Sequence, residues 1–260
     1  MATGPGTESV TCPGVSPPAW AVATLWAVVL LAAVFACLVF VIPLDLYRLI
    51  GHVFEAAAAL FCMACCLYAY RFISDRIIFP LAAFAFFGYA LSTFFWYYSS
   101  VSLGRAFVYT SVAEISFICF FLFLIAAISI EFPQEKIPRG LPVILFVVLF
   151  VIPILVVWGF SVSQPLHLAL FALRCFLVAL LADAMIRHGL YRYPLLCAGI
   201  SLRCAGSIIY GLRETVILNS PPVFLPGPLP GSQITLYNFF SIVGPINICS
   251  FALIVLGLFA

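Results

Sequence analysis

The sequence predicts an all-α integral membrane protein, a polytopic bundle of about eight transmembrane helices with both termini cytosolic. Three observations carry that prediction. Of 260 residues, 66% are hydrophobic and 8% are charged, where an ordinary soluble domain carries roughly 25% charge. Mean hydropathy is +1.26, too high for a chain that must cover itself with a water-facing surface. The apolar residues fall into eight stretches of about 20, the length a helix needs to cross a hydrocarbon layer.

Residues 1–19 (MATGPGTESVTCPGVSPPA) hold no Lys or Arg and lack the charged start of a signal peptide. They read as a disordered tail ahead of a single transmembrane domain, 20–260. The expected spans are 20–41, 50–70, 77–98, 106–130, 141–160, 166–186, 193–216 and 234–259. The first is uncharged throughout. The second opens on His52 and Glu55 and then turns apolar. The third closes on Trp96, Tyr97 and Tyr98, an interfacial aromatic belt. The fourth carries Thr110 and Glu114. The fifth is apolar apart from Pro153, which removes a backbone hydrogen bond and should distort the helix. His167, Arg174 and Asp183 lie in the sixth and Arg203 in the seventh. The eighth contains Gly244 and Pro245, again the signature of a kink.

Loop charge sets the expected orientation. Arg71, Arg76, Lys136, Arg139, Arg187 and Arg192 follow the second, fourth and sixth spans, against Arg48, Arg105 and Arg213 on the opposite side. The basic excess belongs in the cytosol. The opposite face carries the longest connection, 218–233, whose five prolines make it extended.

Each ionisable group in hydrocarbon costs roughly 2.5–3.5 kcal/mol on insertion scales and needs a reason. Arg203 is the deepest, about 15 Å from either end of its span at 1.5 Å per residue. With Ser207, Tyr210 and Glu214 it forms a polar stripe at i, i+4, i+7 and i+11 that must turn inward. His52, Glu55, Ala59, Cys62 and Cys66 share a face of the second span. Thr110 and Glu114 are one turn apart, and His167 and Arg174 share a face of the sixth. Two acids thus meet two arginines across four helices, which fits either a buried ion-pair network or a polar pocket in which a carboxyl exchanges a proton. In the second case Glu114 and Glu55 are the catalytic acids, Glu114 first because it is placed deepest, and His52, Arg174, Arg203, Ser207 and Tyr210 bind substrate. Asp183 and Arg187, four apart at a span end, read as a surface pair.

Several functions are not supported. Net charge is +2 and dispersed, so no nucleic-acid footprint exists. No Lys lies in a span, which excludes a retinal Schiff base, and no phosphate-binding glycine loop, HExxH helix or GxSxG elbow occurs. Cys62, Cys65 and Cys66 lack the second pair that would close a zinc site, and the three His lack a haem arrangement. No metal or cofactor is therefore expected. The partners implied are the bilayer and an amphipathic small molecule, since 27 Phe would wall the pocket. Three readings follow: a membrane enzyme working on a lipid-like or isoprenoid substrate by acid–base chemistry, a transporter using the acids as a proton relay, or a non-catalytic receptor or assembly subunit. No internal repeat of the kind common in transporters is present, and no long cytosolic loop suits a signalling receptor. In size and buried acids the chain is similar in class to membrane-bound terpene cyclases and lipid-exporter-like proteins, with no motif behind the likeness.

Overall fold

The computed structural model describes residues 18–39, 41–42, 44–102, 111–138, 140–159, 165–213, 224–226, 233–235 and 241–260. The expected tail, 1–19, lies almost wholly outside them, as do Arg105, Thr110, Arg139, Glu214 and the side chains of Arg48 and His167. The described elements are α1 (Ala19–Leu38), α2 (Leu44–Phe72), α3 (Ile78–Ser102), α4 (Ser111–Glu131), α5 (Gly140–Phe146), a π turn (Val147–Val151), α6 (Ile152–Gly159), α7 (Pro165–Arg187), a 3₁₀ turn (Leu190–Arg192), α8 (Pro194–Leu212), strands β1 (Phe224–Pro226) and β2 (Gln233–Thr235), and α9 (Val243–Phe259).

Among the described residues, seven helical stretches are long and apolar enough to cross a membrane, and α9 is a shorter apolar helix. Helices are the natural outcome for such sequences, because hydrocarbon offers no partner for an unpaired peptide group. In α1, Ala21, Leu25, Ala32 and Phe35 make one buried stripe, while Leu30, Leu31 and Val34 are exposed.

Pro153 does distort the fifth span, as a π turn over the five residues Val147–Val151 rather than as a simple break. A proline ring clashes with the carbonyl four residues earlier, and widening the preceding turn relieves that contact. The α5–α6 rod lies chiefly against α7 and is the least enclosed of the spans, 6% buried against 22% or more elsewhere.

The eighth span departs from the expected 234–259. Ile234 and Thr235 belong to β2, which pairs antiparallel with β1, Leu225 opposite Ile234, as suits β-branched residues. The helix starts only at Val243. Pro245 is therefore its third residue and produces no kink, because first-turn N–H groups have no helical acceptor to lose. At about 1.5 Å per residue, 17 residues reach roughly 25 Å. This helix is nonetheless the axis of the bundle: from Ile254 to Phe259 every residue is buried, and it packs on α8, α1 and α2. A helix apolar on all sides belongs inside a larger structure.

Close packing of α8 on α9 depends on glycine. A Cβ on Gly257 would stand 2.6 Å from Leu196 Cβ, and one on Gly199 2.7 Å from the Ile254 backbone nitrogen. One half of the bundle is closed by a continuous apolar core that includes Phe79, Phe86, Phe120, Phe121 and Phe251. Ala59, Cys62, Cys65 and Cys66 continue it from α2, so the cysteines serve as small core residues. At that end the loops interlock. Arg192 pairs with Glu135 at 2.8 Å, Arg76 with Glu131 at 2.5 Å and Arg187 with Asp183 at 2.6 Å. Tyr191 donates to Glu135 at 2.6 Å and the Glu135 amide to the Arg187 carbonyl at 2.7 Å. The loops after the second, fourth and sixth spans therefore share one end of the molecule.

Candidate functional site: a polar cavity between α2, α3, α4, α7, α8 and α9

The opposite half of the bundle holds the buried charges Glu55, Glu114, Arg174 and Arg203. All seven residues singled out from sequence, His52, Glu55, Glu114, Arg174, Arg203, Ser207 and Tyr210, border one cavity of about 50 Å³. Tyr89, Trp96, Phe117 and Asn247 also line it, with Ser92, Thr93 and Ala113. At 10–15 Å³ per water this is room for about four waters or the polar end of a ligand. A second cavity of about 60 Å³, with Tyr47, Arg213 and Gly244, shares the His52, Glu55, Tyr89, Tyr210 and Asn247 partition.

The polar stripe of α8 arises from helical spacing. Arg203 is the tenth of 19 residues in α8, about 14 Å from each end, and is 1% exposed. Snorkelling is closed to it, so the charge must be met inside. Rings do much of this: Tyr89, Phe120, Phe117, Phe121 and Phe251 lie 4.7, 5.1, 5.2, 5.5 and 5.9 Å from its Cζ. Each desolvated cation–π contact is worth about 0.5–2 kcal/mol. Its Nη1 donates to Asn247 Oδ1. Nε, Nη2 and the Ser207 hydroxyl one turn on are sealed from solvent and have no hydrogen-bond partner among the described residues. Leaving such donors unmet costs about 1–3 kcal/mol each, a cost that asks for a reason.

Arg203 and Glu55 do not touch. Asn247 stands between them, donating through Nδ2 to Glu55 Oε1 at 3.3 Å and to the Tyr89 hydroxyl at 2.9 Å. Tyr89 in turn donates to Glu55 Oε2 at 3.1 Å. The carboxylate is thus held by two neutral donors and, among the described residues, by no ion pair. Two glycines make room for this arrangement. A Cβ on Gly206 would press to 2.8 Å from Asn247 Oδ1, and one on Gly244 to 3.0 Å from Glu55 Oε1.

The other acid is engaged differently. Glu114 accepts from Arg174 Nη2 at 2.6 Å, with about a tenth of either side chain exposed. The Arg174 guanidinium also lies over the rings of Phe117 and Tyr210 at 4.5 and 4.6 Å. The expectation puts Glu114 first, as the deepest acid; in burial the two acids are nearly equal, 9% exposed against 7% for Glu55. They differ in partners: Glu114 is clamped to an arginine, whereas Glu55 is held by neutral donors. His52 sits at the rim, 4.5 Å between ring centroids from Trp96.

Tyr89 and Asn247 escaped sequence reasoning. In FAFFGYALS a tyrosine reads as aromatic filler, and Asn247 carries no charge to mark it. The available signal was an amide within an apolar stretch, where polar side chains also face inward.

Fold and site together define a polytopic helical membrane protein built around a polar cavity in one half of the bundle. No family model, no curated protein and no solved structure matches the chain, so function rests on the site itself.

Proposed function

We propose that this is a membrane-embedded enzyme of eight spans, both termini cytosolic, that takes the polar end of an amphipathic, lipid-like or isoprenoid molecule into the cavity and acts on it by acid–base chemistry at Glu55. The observation that carries this reading is the state of Glu55. Its carboxylate borders the cavity, is 7% exposed, and is held by Tyr89 and Asn247 without a counter-charge clamped onto it. A general acid or base needs that combination: fixed orientation, access to a bound molecule, and a proton not locked in an ion pair. Tyr89 stands beside it as a second hydroxyl able to pass a proton. Trp96, Phe117 and Tyr210 supply apolar wall for the part of the ligand next to its head, and the small volume leaves an aliphatic tail to lie among the helices or lipids. A translocation path has less support, since the Phe79, Phe86, Phe120 and Phe251 core closes the far half.

The test is solvent-deuterium incorporation. The purified protein in lipid nanodiscs is incubated in D₂O with a panel of prenyl alcohols and fatty acids, and products are read by mass spectrometry. Glu55→Gln keeps the shape and removes the titratable proton, so incorporation should fall by 10²–10⁴-fold, the usual weight of general acid–base catalysis. Undiminished incorporation by a well-folded Glu55→Gln protein, or none by the unaltered protein with any member of the panel, would overturn the enzymatic reading.

A further inference from the structure

We infer that the head group this cavity accepts is a carboxylate, bound by the Nε–Nη2 edge of Arg203 and the hydroxyl of Ser207. The inference rests on the reading of the cavity as a ligand site and names the chemistry of its ligand. Three observations converge. The Nε and Nη2 of Arg203 are the side-by-side donors that meet the two oxygens of a carboxylate in parallel, and among the described residues both lack a partner while Nη1 is taken by Asn247. The hydroxyl of Ser207, one turn along the same face of α8, lacks a partner among them as well, and both side chains are 1% exposed and line the same cavity. Neither acid of the site serves Arg203 directly: Glu114 is bound to Arg174, and Glu55 is reached only through Asn247.

Charge narrows the anion. One guanidinium edge and one hydroxyl are left unmet among the described residues, which balances the single charge of a carboxylate better than the roughly −1.5 to −2 of a phosphate monoester. The donors are sealed from solvent, so the head meets them as the Arg203 side chain turns toward the space it already lines.

The probes are hexanoate, hexanol and hexyl phosphate, each added to the full-length protein in nanodiscs and read by thermal shift and by the ¹³C carboxyl resonance of labelled hexanoate. Hexanoate should bind saturably, hexanol should not match it, and hexyl phosphate should fail to displace it. Ser207→Ala should weaken hexanoate about tenfold, the weight of one hydrogen bond to a charged group. Arg203→Lys keeps the charge but loses the fork and should abolish saturable binding; Ser207→Ala carries the test if Arg203→Lys fails to fold. Equal binding of hexanoate and hexanol, or hexanoate binding indifferent to Ser207→Ala, overturns the carboxylate subsite and leaves the amphiphile site standing. Displacement by hexyl phosphate overturns the choice of carboxylate. Absence of binding by all three probes, together with no deuterium incorporation, sinks this inference and the function it rests on; absence of binding with incorporation intact sinks this inference alone.

Discussion

Separating the two acids is the most informative perturbation, and the Glu114–Arg174 pair gives it a magnitude. At 2.6 Å, with roughly a tenth of each side chain exposed, the pair is effectively buried, and removing one partner of a buried ion pair typically costs 3–5 kcal/mol. That figure is reduced here for two reasons. Glu114→Gln retains an oxygen that can accept from Arg174, and the Arg174 guanidinium keeps the rings of Phe117 and Tyr210 at 4.5 and 4.6 Å, each worth about 0.5–1 kcal/mol. The expected loss is about 2–3 kcal/mol, or roughly 5–10 °C in unfolding temperature at 2–4 °C per kcal/mol for a chain of this size. Arg174→Met leaves a carboxylate without its cation and should cost more. The double variant should recover part of the sum, with a coupling of about 1.5–3 kcal/mol in the cycle. Denaturant unfolding in mixed micelles measures all four proteins, and deuterium incorporation in the folded fraction should fall by less than tenfold for Glu114→Gln. The reasoning is refuted if Glu114→Gln lies within 0.5 kcal/mol of the unaltered protein and the effects are additive, or if it abolishes incorporation while folding normally.

Two further outcomes follow from packing and charge. Gly257→Ala drives a methyl into Leu196; because part of the obstruction is backbone, α8 and α9 must separate, and stability should drop by about 2–3 kcal/mol in the same unfolding assay. An epitope tag at either end should be reached by antibody only from the cytosolic side, and exterior labelling of the C-terminal tag would defeat both the eight-span count and the basic-loop argument.

What was legible in the sequence was whatever carries a large transfer energy. Charge in hydrocarbon is costly enough that Glu55, Glu114, Arg174 and Arg203 could be picked out individually, and helical spacing sufficed to bring Ser207, Tyr210 and His52 onto the same inward surfaces. Seven long apolar helices followed from length and hydropathy, although α2 starts at Leu44, six residues before its apolar stretch, because a helix need not end where hydrocarbon does. Pairing was not legible. Four charges on four helices allow several matchings, and rotations of a few tens of degrees decide which acid meets which arginine. The break between β2 and α9 was hidden for a similar reason, since Ile234 and Thr235 are apolar enough for a span and only their pairing with β1 makes them a strand. Pro245 was misread because a proline's meaning depends on its distance from a helix start that hydropathy does not mark.

The position of Asn247 explains why the site has its particular chemistry. A single neutral amide can hold an arginine with its oxygen and a carboxylate with its nitrogen, which keeps Arg203 and Glu55 oriented without letting them collapse into an ion pair. A direct pair would have used the two donors that Arg203 leaves unmet and the proton capacity of Glu55 in one contact. The amide is held at this depth because α9 runs along the bundle axis, seated by the glycine contacts at Gly199 and Gly257, while Gly206 and Gly244 leave space for Asn247 Oδ1 and Glu55 Oε1. Small residues therefore do for the polar half of the bundle what phenylalanines do for the other. They fix distances between side chains whose charges would otherwise choose their own partners.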